Sequence, residues 1–121
     1  MTIQRFDNGP RFCRVLSYNG TVYLAGMTAD DTDGNVVAQT QAVLGKIDHF
    51  LAMAGSDKTK LLSAVIWLRD IADFDKMNMV RDRWIDRSAL PVRATVEARL
   101  AGDAYRVEIM VTAAAGVPHD A

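Results

Sequence analysis

The sequence has few of the residues that hold small secreted or metal-binding domains together. Its 121 residues include one cysteine, Cys13, and two histidines. A single cysteine excludes an internal disulfide and suits a reducing cytosol. Because neither histidine is near it in sequence, we expect Cys13 to be a small buried or half-buried side chain rather than a nucleophile. A chain of this length folds without such staples, and we expect one domain over residues 1–121.

The sequence also lacks a charge excess and long apolar runs. It has 14 basic and 15 acidic residues, so the net charge is −1, and the basic residues are scattered. This pattern provides no electrostatic footprint for nucleic acid or for an anionic membrane. The apolar runs are far shorter than the roughly 20 residues that span a bilayer, and the N-terminus lacks the apolar segment of a signal peptide. We therefore expect a cytoplasmic globular protein.

Hydrophobic periodicity is the positive signal in the sequence. Alternating or continuously apolar segments predict six strands, at residues 3–6, 14–18, 21–25, 61–69, 92–100 and 105–111. Asn19-Gly20 predicts a type I′ hairpin turn, because that turn needs positive φ at both central positions. Gly26 follows the third strand, where a glycine indicates that the backbone comes close to another group.

Apolar residues at helical spacing predict two helices. The first covers residues 36–54 with Gly55 as its C-terminal stop, and the second begins at residue 72. In the second helix Phe74, Met77, Val80, Arg81 and Trp84 share one stripe, and this Met and Trp stripe is expected in the core. His49 of the first helix is expected in solvent. The acidic loop at 30–35 lacks the terminal bidentate Glu of a calcium loop, so we expect an exposed loop without metal.

This order of elements predicts an α+β domain with both helices on one face of a mostly antiparallel sheet. The strand at 61–69 is apolar on both faces, although two helices cover only one of them. An uncovered apolar face is a patch that monomers avoid. We therefore expect an oligomer with its interface on the sheet.

The last two strands are expected to form a hairpin around residues 101–104. Both alternate cleanly, and the polar side chains share one face: Arg93, Thr95, Glu97, Arg99, Arg106 and Glu108. Opposite charges lie across the strands if Glu97 pairs with Arg106 or if Arg99 pairs with Glu108. The sequence leaves both registers open.

Arg93 has two possible roles on this polar face. In the structural role it pairs with Glu97, Glu108 or a carboxylate of another subunit, because an unpaired buried charge is costly. In the binding role it holds a small organic acid, because the planar guanidinium fork matches a carboxylate in two parallel bonds. The alternation alone favours the structural role.

A family resemblance changes that balance. The segment PVRATVEARL at 91–100, followed by RVEI at 106–109, resembles the closing signature of the RidA/YjgF (Rid) family of imine and enamine deaminases. The likeness extends over residues 14–111. It implies a chorismate-mutase-like α+β fold and a homotrimer whose sheets form an inner barrel, with ligand clefts between subunits. It implies no metal or organic cofactor, and the sequence suggests none.

The resemblance also implies roles for three residues. Arg93 would grip the substrate carboxylate, and Glu108 would position the water that attacks the imine. Gly26 would line the cleft. Arg93 and Glu108 are therefore the expected catalytic residues, with Gly26 among the substrate-binding ones.

Three further substrate-binding positions depart from the usual family pattern. A tyrosine that is common before the first hairpin strand either aligns with Phe12 or is absent. Met27 replaces a frequent glutamine, and Thr95 replaces a frequent cysteine. An apolar thioether cannot hydrogen-bond a polar substrate as an amide would. The resemblance therefore implies a divergent branch with an altered substrate.

The first functional hypothesis is hydrolytic deamination of reactive 2-imino or enamine acids to 2-keto acids and ammonia. The alternative is a non-catalytic trimeric binder of small carboxylate metabolites with a regulatory role. RNA cleavage, attributed to relatives, has little support because the chain has no basic stripe and no paired histidines. Chorismate mutase chemistry would require more than one convergent cation for its dianionic substrate.

Overall fold

The computed structural model describes residues 2–116, which form six strands and two helices. In chain order these are β1 (Gln4–Asn8), β2 (Cys13–Tyr18), β3 (Thr21–Leu24), α1 (Val36–Met53), β4 (Leu61–Leu68), α2 (Phe74–Trp84), β5 (Val92–Glu97) and β6 (Val107–Ala114). Every predicted element is confirmed, with ends that differ by a few residues. The sequence predicts that the short polar tail after Gly116 frays, but this tail lies outside the described residues.

Local sequence signals account for several of these boundaries. Asn19 and Gly20 have φ angles of 53° and 80°, which confirms the predicted type I′ turn between β2 and β3. Helix α1 begins after Asn35, whose side chain accepts a hydrogen bond of 3.0 Å from the backbone N–H of Ala38. The helix ends before Gly55, whose φ of 74° is a left-handed conformation that favours glycine.

All six strands form one sheet in the order β1-β2-β3-β6-β4-β5. The predicted hairpin between the last two strands is wrong, because β4 lies between β5 and β6. Strand β4 pairs antiparallel with β6 and parallel with β5, and the other pairs are antiparallel. A parallel pair needs a long crossover connection, which α2 supplies between β4 and β5. The two opposite-charge registers considered for a hairpin therefore do not occur.

Both helices pack on one face of the sheet, as predicted. The buried core joins Ile66 of β4 and Val107 of β6 to apolar residues of the two helices, among them Ile47, Leu51 and Met77. None of the helices within residues 2–116 is long and apolar enough to cross a membrane. The opposite face, which we call the open face, has no helix against it in the described chain.

The open face carries apolar side chains. Val65 and Trp67 of β4 are half-buried there. On the same face, Met110 of β6 is 40% exposed and Tyr23 of β3 is 45% exposed. The two-faced apolar pattern of β4 is thus observed in the structure. Elsewhere Cys13 is half-buried and His49 is exposed, as the sequence predicted.

A buried amide joins the start of α1 to the segment before β6. Gln39 is 1% exposed, and its Nε2 donates to the carbonyls of Thr32 (3.3 Å), Gly34 (3.1 Å) and Ala104 (3.0 Å). Its Oε1 accepts from the backbone N–H of Arg106 at 2.9 Å. One side chain therefore satisfies four backbone groups in two loops, and nothing in the periodicity of the sequence marked it.

Replacing Gln39 by methionine should test this network, because the volume is retained while the four hydrogen bonds are lost. Buried backbone groups left without partners are costly, so we expect the free energy of unfolding to fall by about 2–4 kcal/mol. Equilibrium urea unfolding at fixed protein concentration measures the change. The matched control is Gln41→Met at an exposed position of the same helix, with an expected change below about 0.5 kcal/mol. Equal stabilities of the two variants would contradict the role of Gln39.

Candidate functional site

Arg93 lies on the helix-covered face of the edge strand β5. Its register partner on β4 is Ala64, which is buried under the helices. The Nη1 of Arg93 donates to Oδ1 of Asn78 at 2.6 Å, and its guanidinium carbon lies 5.6 Å from the ring centroid of Phe74. Both partners belong to α2, so the crossover helix positions the guanidinium.

Arg93 has no acidic partner among residues 2–116. The structural role suggested Glu97 or Glu108, but neither forms a salt bridge with it. Glu97 instead accepts a hydrogen bond from the backbone N–H of Ile71 at 2.9 Å. A guanidinium has five N–H donors, and within the described chain Arg93 uses one of them, on Asn78. The half-buried cation therefore retains the donors needed to hold an anion.

Thr95 lies two residues after Arg93 on the same face of β5. Its Oγ1 is buried and makes no hydrogen bond with any group of residues 2–116. A buried hydroxyl without a partner is uncommon and costs free energy. Strand β5 therefore carries a cation without an acidic partner, Arg93, and a hydroxyl without a hydrogen-bond partner, Thr95, among residues 2–116.

Glu108 lies on the opposite, open face of the sheet. Its register partner on β4 is Trp67, and its carboxylate lies directly beside the backbone of Gly26. A Cβ at position 26 would overlap Oε2 of Glu108 and lie 3.1 Å from its Cδ. The close approach expected at Gly26 is therefore an approach to Glu108.

Met27 holds this arrangement in place through its backbone. Its N–H donates to the carbonyl of Ile109 at 2.8 Å, and the N–H of Ile109 donates back at 3.1 Å. The Met27 side chain is 2% exposed and packs in the core. This burial keeps the thioether out of solvent, and the backbone of Met27 pairs with Ile109, the residue after Glu108.

Phe12 lies in the loop between β1 and β2 and is 56% exposed. The guanidinium carbon of Arg14 lies 5.7 Å from the ring centroid. Because β1 and β2 form one edge of the sheet and β5 forms the other, Phe12 and Arg93 lie at opposite edges of the protomer.

The expectation that Arg93 and Glu108 share one face is also wrong. That expectation depended on the hairpin, in which the alternation of one strand continues into the next. With β4 between them, their faces are set by Ala64 and Trp67, which are three residues apart and point to opposite sides. Within one protomer the structure joins Gly26 to Glu108 and Arg93 to Thr95, and it separates the two pairs.

The sequence interpretation missed the function of α2 in this site. Phe74 was placed with the core stripe, but it is 36% exposed and lies beside Arg93, whereas Met77 and Val80 are buried as expected. Asn78 follows Phe74 by four residues, a spacing that places both on one helix face. Among residues 2–116 no three His, Cys, Asp or Glu side chains cluster in a way that would hold a metal ion.

Comparisons with known proteins identify the family. The family model described as Endoribonuclease L-PSP matches residues 2–115. A RutC family protein from Haemophilus ducreyi is 42% identical over 112 residues, which cover 93% of this chain and 96% of the relative. The chain belongs to the RidA/YjgF family.

Solved structures of the RidA/YjgF family share this fold. A YjgF family member from Neisseria meningitidis superposes with a TM-score of 0.95 at 42% identity, over 98% of both chains. This agreement confirms the chorismate-mutase-like α+β class expected from the resemblance. A more distant relative, the goat 2-iminobutanoate/2-iminopropanoate deaminase, is 30% identical over 114 residues, which cover 89% of this chain and 82% of that protein.

Replacing Gly26 by alanine should displace the Glu108 carboxylate while the fold persists. The overlapping atoms are the end of a flexible side chain, so we expect the free energy of unfolding to fall by only about 1 kcal/mol. A crystal structure of the variant shows the displacement, and urea unfolding gives the stability.

Gly45→Ala is the matched control for this change. A Cβ at Gly45 has no heavy atom within 4 Å, and the position is exposed in the middle of α1. Helix propensity predicts a stability gain of about 0.5–1 kcal/mol there. An unmoved Glu108 in Gly26→Ala would show that the glycine is not required by the carboxylate.

Proposed function

We propose that this chain is a hydrolytic deaminase that converts reactive 2-imino and enamine acids to 2-keto acids and ammonia in the cytoplasm. The observation that carries the proposal is the half-buried Arg93 guanidinium, which has free donors and no carboxylate partner within residues 2–116. A cation in that state is suited to hold the carboxylate of a small acid. The name of the goat relative supports the same reaction class.

Hydrolysis of an imine requires few protein side chains. A protonated imine carbon is electrophilic, so water adds to it, the C–N bond breaks, ammonia leaves and a C=O bond forms. Glu108 would accept a proton from the attacking water and return it to the departing nitrogen. Arg93 would hold the carboxylate next to the imine, so that the carbon is fixed relative to the water.

This assignment requires more than one copy of the chain. Arg93 and Glu108 lie on opposite faces of one sheet, so they can act on one substrate only if different protomers supply them. We propose a homotrimer whose sheets form an inner barrel with clefts between subunits. The apolar open face supports it, because Val92 and Val96 of the edge strand are 73% and 46% exposed.

The departures from the family pattern have distinct consequences under this proposal. The Thr95 hydroxyl, which has no partner among the described residues, would donate to the substrate carboxylate next to Arg93. Met27 would act through its backbone, since its side chain is in the core. The exposed ring of Phe12 would offer an apolar wall to a neighbouring protomer's cleft.

The matching family model is described as an endoribonuclease, but the proposed reaction does not include RNA cleavage. His49 is the one histidine of residues 2–116, and it is exposed on α1 beside Phe50, far in sequence from Arg93 and Glu108. Phosphodiester cleavage by paired histidines therefore has no supporting observation in the described chain.

Replacing Arg93 by alanine should lower kcat/KM for imine hydrolysis more than about 100-fold, because the carboxylate anchor is lost. The assay generates the imine with an amino-acid oxidase and follows release of the 2-keto acid. Arg69→Ala, at an exposed arginine after β4, is the matched control with an expected wild-type rate. A wild-type rate in Arg93→Ala would refute the assignment. Binding of 2-keto acids without any rate enhancement in the wild-type protein would instead support the regulatory binder.

Mixing two inactive variants tests whether the site lies between subunits. Arg93→Ala and Glu108→Gln, unfolded together and refolded at equal amounts, should regain about a quarter of the wild-type rate, since random assortment gives that share of intact interfaces. Each variant refolded alone should stay inactive. Sedimentation of differently tagged chains verifies that mixed trimers form. Mixed trimers without recovered activity would exclude a site shared by Arg93 and Glu108 of different protomers.

A further inference from the structure

A second arginine lies beside the proposed carboxylate anchor. Phe74, Asn78 and Arg81 follow one another at helical spacing on α2, and the first two contact Arg93. Arg81 also lines a narrow cavity together with Ala64 and Pro91. Ala64 is the register partner of Arg93, and Pro91 precedes Arg93 by two residues. The cavity places Arg81 near the start of β5, and the helical spacing places it on the face of α2 that contacts Arg93.

Arg81 has no counter-charge within residues 2–116. It takes part in none of the salt bridges or side-chain hydrogen bonds of the described chain, and its neighbour Asp82 contacts Arg87 at 3.8 Å instead. Burial lowers the pKa of Arg81, the positive charge of Arg93 lowers it further, and Asp82 raises it. Arg81 and Arg93 are both half-buried, the charge of one acts on the other, and neither forms a salt bridge with a carboxylate of residues 2–116.

The helix terminus alone does not explain this burial. Arg81 and Arg83 both lie in the last turn of α2, where a positive charge interacts favourably with the helix dipole. Arg83 is exposed and supplies that interaction without desolvation. A half-buried cation beside another cation is costly unless an anion joins them. Two half-buried cations without acidic partners in residues 2–116 are suited to bind two negative charges.

We propose that Arg81 and Arg93 together bind a dianion, and that the preferred substrates are 2-imino dicarboxylic acids. Arg93 holds the carboxylate next to the imine, and Arg81 holds the carboxylate at the end of the substrate side chain. The assignment of the reacting end to Arg93 rests on the proposed function, whereas dianion binding itself does not. An enzyme that oxidises acidic amino acids would supply such imines.

Two keto acids of equal chain length test the charge requirement. 2-Oxoglutarate and 2-oxopentanoate differ by the terminal carboxylate, and calorimetry in a buffer free of phosphate and carboxylate gives both dissociation constants. A second charge-assisted contact predicts that 2-oxoglutarate binds about 10- to 100-fold tighter to the wild-type protein. Sodium chloride should reduce the difference, because it screens partly exposed charges.

Substitutions in the last turn of α2 test whether Arg81 causes the preference for 2-oxoglutarate. In Arg81→Gln the ratio of the two dissociation constants should fall close to one, whereas Arg81→Lys should retain part of it because the charge remains. Arg83→Gln removes the same charge from the same turn at an exposed position and should keep the full ratio. An unchanged ratio in Arg81→Gln, or equal binding of both acids by the wild-type protein, would overturn the proposal.

Kinetics separate this proposal from the proposed function. The imines of glutamate and norvaline, generated by an amino-acid oxidase, should show the same preference in kcat/KM and the same loss in Arg81→Gln. Hydrolysis without a preference for the dicarboxylic imine would overturn the dianion proposal and leave the deaminase intact. Tight, Arg81-dependent binding of 2-oxoglutarate without hydrolysis of either imine would support the dianion site and refute the deaminase.

Discussion

The position of β4 between β5 and β6 is the constraint on which the rest of this structure depends. Its helix-covered residues Ala64 and Ile66 join the core, while Val65 and Trp67 lie on the open face. The parallel pairing with β5 requires a crossover, and α2 is that crossover. This connection brings Asn78 against Arg93, so the same pairing that builds the sheet also prepares the cationic part of the site.

The candidate site has one group of residues on the helix-covered face and another on the open face, and the two groups differ in their surroundings. On the helix-covered face, polar and cationic groups are desolvated without a complete set of partners: the Arg93 and Arg81 guanidiniums and the Thr95 hydroxyl. On the open face, Glu108 occupies the space that a side chain at Gly26 would fill. The Gln39 amide fixes the segment that leads into β6, two residues before Glu108. Unfilled polar groups on a rigid scaffold are typical of a site that is completed by a ligand or a partner.

Much of the fold followed from local patterns. Asn19-Gly20 specified the first hairpin, Asn35 and Gly55 bounded α1, and alternation located every strand. The hairpin assigned to the last two strands failed, because alternation shows which side chains share a face of one strand and carries no information on which strand lies beside it. The two-faced apolar pattern of β4 indicated a central strand, but it did not identify β5 and β6 as the strands on either side of it.

By itself the sequence determined the α+β class, the helix boundaries, the close approach at Gly26 and the family, because short-range periodicity and motifs encode them. Only the tertiary structure decided that Arg93 and Glu108 lie on opposite faces, that Arg93 contacts Asn78, and that Arg81 has no counter-charge among residues 2–116. These are relations between residues far apart in the chain. The faces of Arg93 and Glu108 depend on the register of β5 and β6 with β4, since one residue of register moves a side chain from one face to the other.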